Sequence, residues 1–424
     1  MHAARRWWHD TAGGLPATFW YLWAGLLINR AGAFAMLFLS LYLTDVRGAS
    51  IGLAGTVVGA YGAGGAAGVL LGGVLADRWG RRATLLAAHL STVVLMVALA
   101  FSQPLLLIAV LSALVGVVHS MPGPAFVAAI VDVVPAERRS RAFNLQFWAF
   151  NLGMAVASLL AGVLAEASFT ALFLVDAGAT LTAAAVIGWK VPETLRLAAP
   201  PADPPPATRA SARPRRQGLH TALTDRTFLV FVGLTFVLAV LTMQTSTIMP
   251  LAMRADGLGP SAYGLVVALG GALIVIGQLF VPRLIDRHRK DVVLAASTAL
   301  LALGFGVLAV ADHLAIYLGA AVVWTVGSML AAPPNAQINA DLAPPQLRAR
   351  YQAVFYLTFP AAAFVAPTLG GVSLQHLGDR HWLLVGALGV AAAVGHLVAG
   401  PPRERHVAAL LRKQTPAADR VPTA

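Results

Sequence analysis

Twelve apolar stretches, each about 20 residues long or longer, dominate this chain. A stretch of that length can cross the hydrocarbon core of a bilayer as a helix. Inside lipid every backbone amide needs a partner from the protein itself, so only helices and closed β-barrels can span it. These stretches lack the alternation of barrel strands. We therefore predict twelve transmembrane helices, near residues 17–44, 51–76, 83–102, 105–133, 141–165, 169–189, 228–252, 262–282, 291–311, 314–340, 351–374 and 381–399.

The overall composition requires lipid as the solvent for most of the surface. Of the 424 residues, 58% are hydrophobic and only 11% are charged, and the mean hydropathy is +0.74. So few charges cannot cover a water-soluble fold of this size. The first stretch is not a cleaved signal peptide, because it is too long and turns polar only at Thr44 and Asp45.

The basic residues predict the orientation in the membrane. Of the 30 Lys and Arg residues, 26 lie in the two tails, the even-to-odd loops and the central linker, whereas the opposite loops hold three: Arg47, Arg254 and Arg380. The remaining one, Arg30, lies inside the first stretch. By the positive-inside rule both termini are cytoplasmic, in a bacterial cell membrane. The net charge of +12 then reflects topology and anionic lipid, and no nucleic-acid partner is expected.

Several function classes are excluded by what the sequence lacks. There is no cysteine, so disulfides, thiol catalysis and thiolate metal sites are ruled out. No Walker sequence is present, so ATP is not the energy source. No acid–base or metal-ligating cluster stands at the spacing of an active site, and we expect neither enzymatic activity nor a cofactor or bound metal.

A proline- and arginine-rich segment divides the chain into two halves of six spans. The predicted boundaries are 1–190 for the first bundle, 191–226 for a flexible cytoplasmic linker, 227–400 for the second bundle and 401–424 for a cytoplasmic tail. A short amphipathic piece near 219–227 precedes the seventh span. The halves echo one another, because a Gly-x-Leu-x-Asp-Arg pattern after span 2 returns after span 8 as Pro282-Arg-Leu-Ile-Asp-Arg287.

The loop between spans 2 and 3 carries the most specific motif, Gly73-Val-Leu-Ala-Asp-Arg-Trp-Gly-Arg-Arg82. Gly80 lets the chain reverse without a Cβ clash, and Gly73 is predicted to permit close approach of a neighbouring helix. This motif resembles the loop between helices 2 and 3 of major facilitator superfamily transporters. The resemblance implies an all-α integral membrane fold of two pseudo-symmetric six-helix bundles.

The resemblance also assigns a gating role to this motif, through Gly73, Asp77, Arg78, Gly80, Arg81 and Arg82. In the family, the counterpart of Asp77 faces the amino end of helix 11 and latches the outward-facing state, as a helix dipole favours an anion. The arginines would add pairing with acids such as Asp132 and Glu137. Pro122-Gly-Pro124, the segment Phe143–Gly153 and Asp225-Arg-Thr-Phe228 resemble the drug:proton antiporter branch.

Polar residues within the spans are candidates for cargo and protons. Arg30, after Asn29, must face the interior or water, because a charge at that depth is costly; it would recognise an anion or pair with Asp176. Asp176 and His119 are the candidates for proton coupling. Gln146, Asn151, Gln244 and Trp324 are predicted to line the cavity together with Asn29 and Arg30.

These residues lead to one function and several alternatives. We expect proton-coupled efflux of amphipathic, drug-like compounds by a monomer whose partners are a small-molecule substrate, protons and the lipid bilayer. The branch often has carboxylates in helices 5 and 10, where this chain has Gln146 and Ser328. Their absence favours the alternatives: uptake or exchange of an anionic or zwitterionic solute such as a peptide or carboxylate, or movement of a lysolipid.

Overall fold

The computed structural model describes residues 13–33, 35–195, 219–277, 280–285, 288–344 and 347–414. Within that part, twelve helical segments are long and apolar enough to cross a membrane, which confirms the predicted fold class; the first of them runs over Ala17–Val46 and begins with the α-helix Ala17–Gly32. We name them α1 (Ala17–Gly32), α2 (Ile51–Arg78), α3 (Arg81–Phe101), α4 (Leu105–Val133), α5 (Arg139–Ala167), α6 (Phe169–Lys190), α7 (Arg226–Ala255), α8 (Pro260–Gly277), α9 (Lys290–Gly306), α10 (Leu314–Leu342), α11 (Arg350–Leu377) and α12 (Arg380–Gln414).

Short polar residues fix where several of these helices begin. The hydroxyl of Ser50 accepts a hydrogen bond from the Leu53 amide at 3.3 Å, and Ser168 and Asp225 cap α6 and α7 in the same way. Such caps satisfy backbone donors that the first turn of a helix leaves unpaired. The loops can therefore be short, and consecutive helices run in opposite directions.

The helices form two bundles, α1–α6 and α7–α12. In the first, α2 packs on α4, α3 on α6, and α1 on both α5 and α6; in the second, α9 packs on α10 and α12, and α7 on α11 and α12. The bundles meet along two pairs of helices, α2 with α11 and α5 with α8. We call the side where α1 begins and α12 ends the terminal side, and the opposite one the distal side.

The first span is interrupted, whereas the sequence predicts one continuous helix over 17–44. The α-helix ends at Gly32 and is followed by short turns at Ala35–Phe38, Leu39–Leu41 and Tyr42–Val46. The amide of Ala35 donates to the carboxylate of Asp176 on α6 at 3.2 Å instead of to a helical carbonyl. A buried acid on a neighbouring helix thus satisfies the broken turn.

Outside the spans, the structure departs from the expected boundary at residue 400 and contains the short helix expected before the seventh span. The last helix continues through Pro401 and Pro402 to Gln414, so no break separates a bundle from a tail at residue 400. A short helix, Leu219–Thr224, precedes α7 and packs on the helical segment Arg348–Tyr356 at the start of α11. Most of the predicted linker (residues 196–218), Asp286 and Arg287 of the repeated motif, and the tail residues 415–424 lie outside the described residues.

Candidate functional site

A cavity of about 220 Å³ lies between the two bundles, near the middle of the spans. Five helices supply its walls. Two aromatic residues of the second bundle form one wall, as Phe305 and Trp324 stack with ring centroids 5.1 Å apart and planes 3° from parallel. The lining residues are Phe150, Asn151, Met154, Thr242, Thr245, Met249, Val266, Val267, Gly270, Gly271, Ile274, Phe305, Trp324, Thr325 and Ser328.

The chemistry of this lining is apolar and aromatic with a few neutral polar groups. Its hydrogen-bonding side chains are the amide of Asn151, the hydroxyls of threonines and one serine, and the indole of Trp324. No Asp, Glu, Lys, Arg or His stands among the lining residues. Neutral walls with flexible methionines accept varied apolar shapes, whereas a cation would find no counter-charge there.

Arg30 lies beside the cavity without forming part of its wall. Its guanidinium carbon is 4.8 Å from the ring centroid of Phe150, which does line the cavity. The Nε atom is buried and has no hydrogen-bond partner. Asp176 acts electrostatically on the guanidinium and stabilises its charge, while the unpaired Nε keeps a donor available to a bound solute.

Three residues of the first bundle share a polar region with Arg30. The hydroxyl of Tyr61 lies 3.4 Å from Nδ1 of His119, while Nε2 of His119 is buried without a partner. The charge of Arg30 acts electrostatically on Tyr61, His119 and Asp176. The region therefore combines a fixed cation, a phenol and an imidazole within reach of one another.

Asp176 and Asn29 are engaged in packing α6 against α1. The carboxylate of Asp176 accepts hydrogen bonds from the Ala35 amide and from the hydroxyl of Thr180, at 3.2 and 3.4 Å. The side-chain amide of Asn29 donates to the same hydroxyl at 3.1 Å. Asp176 is fully buried. These contacts fit the structural role of Asp176 better than a role in proton coupling.

The remaining cavity candidates are divided between the wall and its surroundings. Asn151 and Trp324 lie in the wall, as does Ser328. Gln146 and Gln244 are not among the lining residues. Gln244 is buried on α7 with its Oε1 unpaired, 3.0 Å from the position that a Cβ on Gly370 of α11 would take. It lies at a helix contact within the second bundle.

On the distal side the two bundles are held closely together. The α2–α11 contact is built on glycines: a Cβ added to Gly55 would overlap the carbonyl oxygen of Pro367, and one on Gly371 would lie 2.9 Å from the carbonyl oxygen of Ile51. The amide of Gly52 donates to Gln375 at 2.8 Å.

The second distal contact, between α5 and α8, has the same character. A Cβ on Gly264 would overlap the carbonyl oxygen of Ser158. Glu166 at the end of α5 accepts a hydrogen bond from Ser261 at the start of α8, and Arg254 pairs with Asp45 across the bundles at 2.9 Å. The distal side is therefore closed.

On the terminal side, Asp77 of the loop motif is not latched. Its side chain is 75% exposed, and its ion-pair partner is Arg81 within the same loop, at 3.3 Å. No described hydrogen bond or ion pair joins the two bundles on this side. The implied contact of Asp77 with the start of α11 is not found among the described residues, and we therefore interpret this conformation as open toward the terminal side.

Arg81 and Gly80 organise the loop itself. The Arg81 Nε donates to Asp132 of α4 at 2.9 Å, and its Nη1 donates to the carbonyl of Ala76 at 2.8 Å. This is the expected pairing with Asp132; Glu137 makes no described ion pair. Gly80 has a φ of 110°, so the reversal needs glycine, and a Cβ there would overlap the carboxylate of Glu193.

Glu193, just after α6, caps the start of α3. Its carboxylate accepts hydrogen bonds from the backbone amides of Arg81 at 2.8 Å, Leu195 at 3.1 Å and Ala83 at 3.3 Å. Burial raises the pKa of Glu193, but these backbone donors together hold it below its usual value. The residue ties the end of the first bundle to the loop motif.

The other motif residues have different surroundings from those expected. A Cβ on Gly73 would meet nothing nearer than Pro124 at 4.0 Å, so the prediction of a close approach there is wrong; the adjacent Gly72 makes it, against the backbone of Met121. Arg82 donates to the carbonyl of Gly188 on α6. Arg78 is exposed.

The second bundle has an ion pair at the position that corresponds to Arg81–Asp132 in the first, but its side chains are more exposed. Lys290 at the start of α9 pairs with Asp341 at the end of α10 at 2.7 Å, as Arg81 at the start of α3 pairs with Asp132 of α4. Arg289 pairs with Glu404 of α12 at 3.3 Å.

Tyr61 and Phe150 were not singled out by the sequence. The available signal for Tyr61 is that it stands alone among small residues, in Gly59-Ala-Tyr61-Gly-Ala-Gly-Gly65 of α2. A single large polar side chain in such a segment projects from the helix. Phe150 gives no signal, because aromatic residues are common on every face of a transmembrane helix.

Comparison with known proteins gives one consistent result. The family model described as Major Facilitator Superfamily matches residues 22–367 and 232–421. The chain is 27% identical over 376 residues to the uncharacterized MFS-type transporter YttB of Bacillus subtilis, covering 87% of this chain and 91% of the relative. It is 26% identical over 388 residues to the multidrug resistance protein MdtH of Aeromonas hydrophila, covering 88% and 92%.

Solved structures of the same architecture superpose well at low identity. A peptide transporter POT in complex with sulfate matches with a TM-score of 0.78 at 17% identity, over 92% of this chain and 96% of that one. The nucleoside transporter NupG matches with a TM-score of 0.74 at 12% identity, over 91% and 99%. At such identities the likeness concerns the fold.

Proposed function

Because the chain belongs to the major facilitator superfamily, and so is a secondary transporter rather than an enzyme, we propose that it exports amphipathic, drug-like compounds across the bacterial cytoplasmic membrane in exchange for protons. The central cavity holds the compound, and the bundles rock about it to expose it on alternate sides. The cargo is neutral or anionic. The relatives named multidrug resistance protein support efflux, and the uncharged lining of the cavity supports a neutral or anionic cargo.

The apolar and uncharged lining of the cavity is the observation that carries this proposal. Stacked Phe305 and Trp324, with Phe150 and two methionines, present a large apolar and aromatic surface to a small molecule. A neutral compound gains from this surface without needing a matched ion. An organic cation would leave water without a carboxylate to replace it, and Arg30 beyond Phe150 would repel it.

The open terminal side supports export from the compartment that it faces. With the proposed orientation that compartment is the cytoplasm, because the basic loops lie on this side. An exporter must bind its cargo from the cytoplasm or the inner leaflet, and a terminal-open, distal-closed state is the one in which it does so. Asp77, exposed here, then returns to the start of α11 when the distal side opens.

His119 is the residue that we propose for proton coupling. One ring nitrogen contacts Tyr61, and the other is buried without a partner. In the tautomer whose Nδ1–H donates to Tyr61, a proton binds at Nε2 without breaking that hydrogen bond. Asp176 is engaged by two donors. A proton on His119 adds a second positive charge near Arg30, which changes the affinity for whatever occupies the neighbouring cavity.

Arg30 favours one alternative, the uptake or exchange of an anionic or zwitterionic solute. Its buried Nε has no hydrogen-bond partner, which leaves a donor for an anionic group. An anion bound to Arg30 would relieve the repulsion that opposes protonation of His119, so cargo and proton would bind together. Joint binding drives symport, whereas competition between them drives antiport. The direction of the coupling therefore separates the two candidates.

Transport into everted membrane vesicles tests the proposal. Respiration acidifies the interior of such vesicles, so a proton-coupled exporter fills them with cargo. We expect vesicles containing the protein to accumulate Nile red, which is neutral, and 8-anilinonaphthalene-1-sulfonate, which is anionic, but not ethidium, which is cationic. Collapse of the pH gradient with nigericin should abolish the accumulation, and vesicles carrying Asp77→Asn serve as the matched control.

Two outcomes would contradict this reading. Preferential accumulation of ethidium would show that the lack of a carboxylate does not set the cargo charge. Loss of 8-anilinonaphthalene-1-sulfonate from preloaded everted vesicles, driven by the same gradient, would show that cargo and protons move in one direction and would favour symport over export.

A further inference from the structure

A groove separate from the central cavity opens between α7 and α12 at the terminal end of the second bundle. Its volume is about 370 Å³. Both helices contribute one arginine and several apolar residues to it. The residues that matter here are Arg226, Val230, Leu234, Val398, Pro402 and Arg403.

Arg403 is a buried cation whose hydrogen-bonding capacity is incompletely used. The residue is 5% exposed, and its Nη1 atom is buried with no hydrogen-bond partner. The guanidinium carbon lies 5.9 Å from the ring centroid of Phe231. A buried guanidinium that lacks an acceptor is costly, so a ligand with oxygen acceptors at this position would be stabilised.

The acids nearest to Arg403 already bind another arginine. Asp291 pairs with Arg289 at 2.9 Å, and Glu404 pairs with the same guanidinium group at 3.3 Å. No ion pair is found between Arg403 and either acid. Asp291 and Glu404 stabilise the charge of Arg403 electrostatically, but no described ion pair occupies its donors.

Arg226 adds a second cation at the mouth of the groove. It is the first residue of α7 and is exposed. The adjacent Asp225 is occupied elsewhere, because its carboxylate accepts hydrogen bonds from the Phe228 amide and the Tyr351 hydroxyl, at 3.1 and 3.0 Å. Two guanidinium groups from two helices thus border one opening.

The walls of the groove are apolar and face away from the protein interior. Val398 is 70% exposed and Val230 is 52% exposed. Side chains of this kind on the outer face of a transmembrane bundle contact lipid tails. The groove thus combines cations at the end of the spans, where head groups lie, with an apolar channel directed toward the hydrocarbon.

We propose that this groove binds one acidic phospholipid of the leaflet on the terminal side. The phosphate and acidic head group lie between Arg226 and Arg403, and one acyl chain lies along Val230, Leu234 and Val398. Arginine suits a phosphate because its planar donors contact two oxygens at once. The lipid joins α7 to α12 at their ends, next to the hydrogen bond of Asp225 with Tyr351 of α11.

Lipid-dependent thermal stability of the purified, delipidated protein tests this proposal. Dioleoyl-phosphatidylglycerol should stabilise the protein at concentrations about tenfold lower than dioleoyl-phosphatidylcholine, which has the same chains and no net charge. Arg226→Gln, an exposed substitution that the fold tolerates, should weaken the preference about fivefold, as expected for one cation near a membrane surface. Arg403→Gln should remove it. The matched control is Arg405→Gln, an exposed arginine on the same helix, which should keep the wild-type preference.

Three results would overturn the proposal. Equal stabilisation by the two lipids would show that no acidic head group is recognised. An unchanged preference in Arg226→Gln would place the lipid elsewhere, and this holds even if Arg403→Gln fails to fold. Stabilisation by inorganic phosphate or glycerol 1-phosphate equal to that by phosphatidylglycerol would identify a site for a soluble phosphate compound instead of a lipid.

Discussion

Arg30 carries a charge within the spans, and its buried Nε has no hydrogen-bond partner. If it contacts the cargo, Arg30→Lys should impair transport by about tenfold while the protein yield stays normal, because lysine cannot form the two-pronged contact. Transport and folded yield of Arg30→Lys, Arg30→Ala, Asp176→Ala and the double alanine variant are the measurement.

The alternative for Arg30 is a structural partnership with Asp176. Arg30→Ala and Asp176→Ala would then lower yield and thermal stability alike, with no further loss in the double variant. The observed hydrogen bonds of Asp176 with Ala35 and Thr180 favour independent effects. Full transport by Arg30→Ala would contradict both roles.

Glu193 gives a pH dependence whose sign follows from its lowered pKa. The folded protein stabilises the carboxylate, so this contribution is complete above the ordinary glutamate pKa of about 4.3 and is lost as the pH falls through the lower folded value. Wild-type protein should therefore lose more thermal stability between pH 6 and pH 3 than Glu193→Gln does, by about 1 kcal/mol or less. Parallel pH profiles of the two proteins would show that the cap at α3 is not electrostatic.

At the scale of elements, the α2–α11 contact sets the closure of the distal side. A methyl group at Gly55 overlaps the carbonyl of Pro367, whereas a Cβ at Gly319 on α10 meets no atom within 4 Å. Gly55→Ala should therefore shift the population toward the distal-open state, and Gly319→Ala should not. Distances between spin labels at Val46 and His376 report this opening. An unchanged distribution in Gly55→Ala would mean that α2 shifts locally without moving its bundle.

Asp77 acts on the same equilibrium in the opposite direction. The resemblance implies that it binds the start of α11 when the terminal side closes, a contribution of roughly 0.3–2 kcal/mol for an anion at a helix terminus. Asp77→Asn should increase the population of the terminal-open state and reduce transport, with normal expression. Labels at Glu137 and Arg350 measure the terminal separation. Wild-type distances together with full activity would leave the loop as a turn only.

For the whole molecule, the orientation of the two sides in the membrane is the most general prediction. The chain has no cysteine, so single cysteines can be placed without background. The side chain of Asp312 is 81% exposed on the distal side. The variant Asp312→Cys should therefore react with an impermeant maleimide in intact cells. Glu137→Cys, on the terminal side, should react only after permeabilisation. The reverse pattern would place the termini outside.

The architecture could be predicted from sequence because hydropathy is summed over about twenty residues and needs no tertiary information. The pairing of Arg81 with Asp132 was also accessible, since charged residues at membrane edges have few possible partners. The cavity was harder to predict, as Gln146 and Gln244 stand outside its lining and Phe150, which is part of the lining, was overlooked. A helix that is apolar all round gives no periodic sign of which face meets the cavity. The close approach at Gly72 instead of Gly73 depends on how α2 is rotated against α4, which the sequence alone does not specify.

The two bundles, though alike in design, should respond differently to ionic strength. The Arg81–Asp132 pair is shielded, with side chains 11% and 8% exposed, whereas Lys290 and Asp341 are 42% and 41% exposed. At about 0.15 M salt the Debye length is about 8 Å, so dissolved ions weaken the exposed pair and barely affect the shielded one. A rise in salt on the terminal side therefore weakens the α9–α10 ion pair more than the α3–α4 ion pair. A change in cytoplasmic ionic strength would act on this transporter mainly through its second bundle.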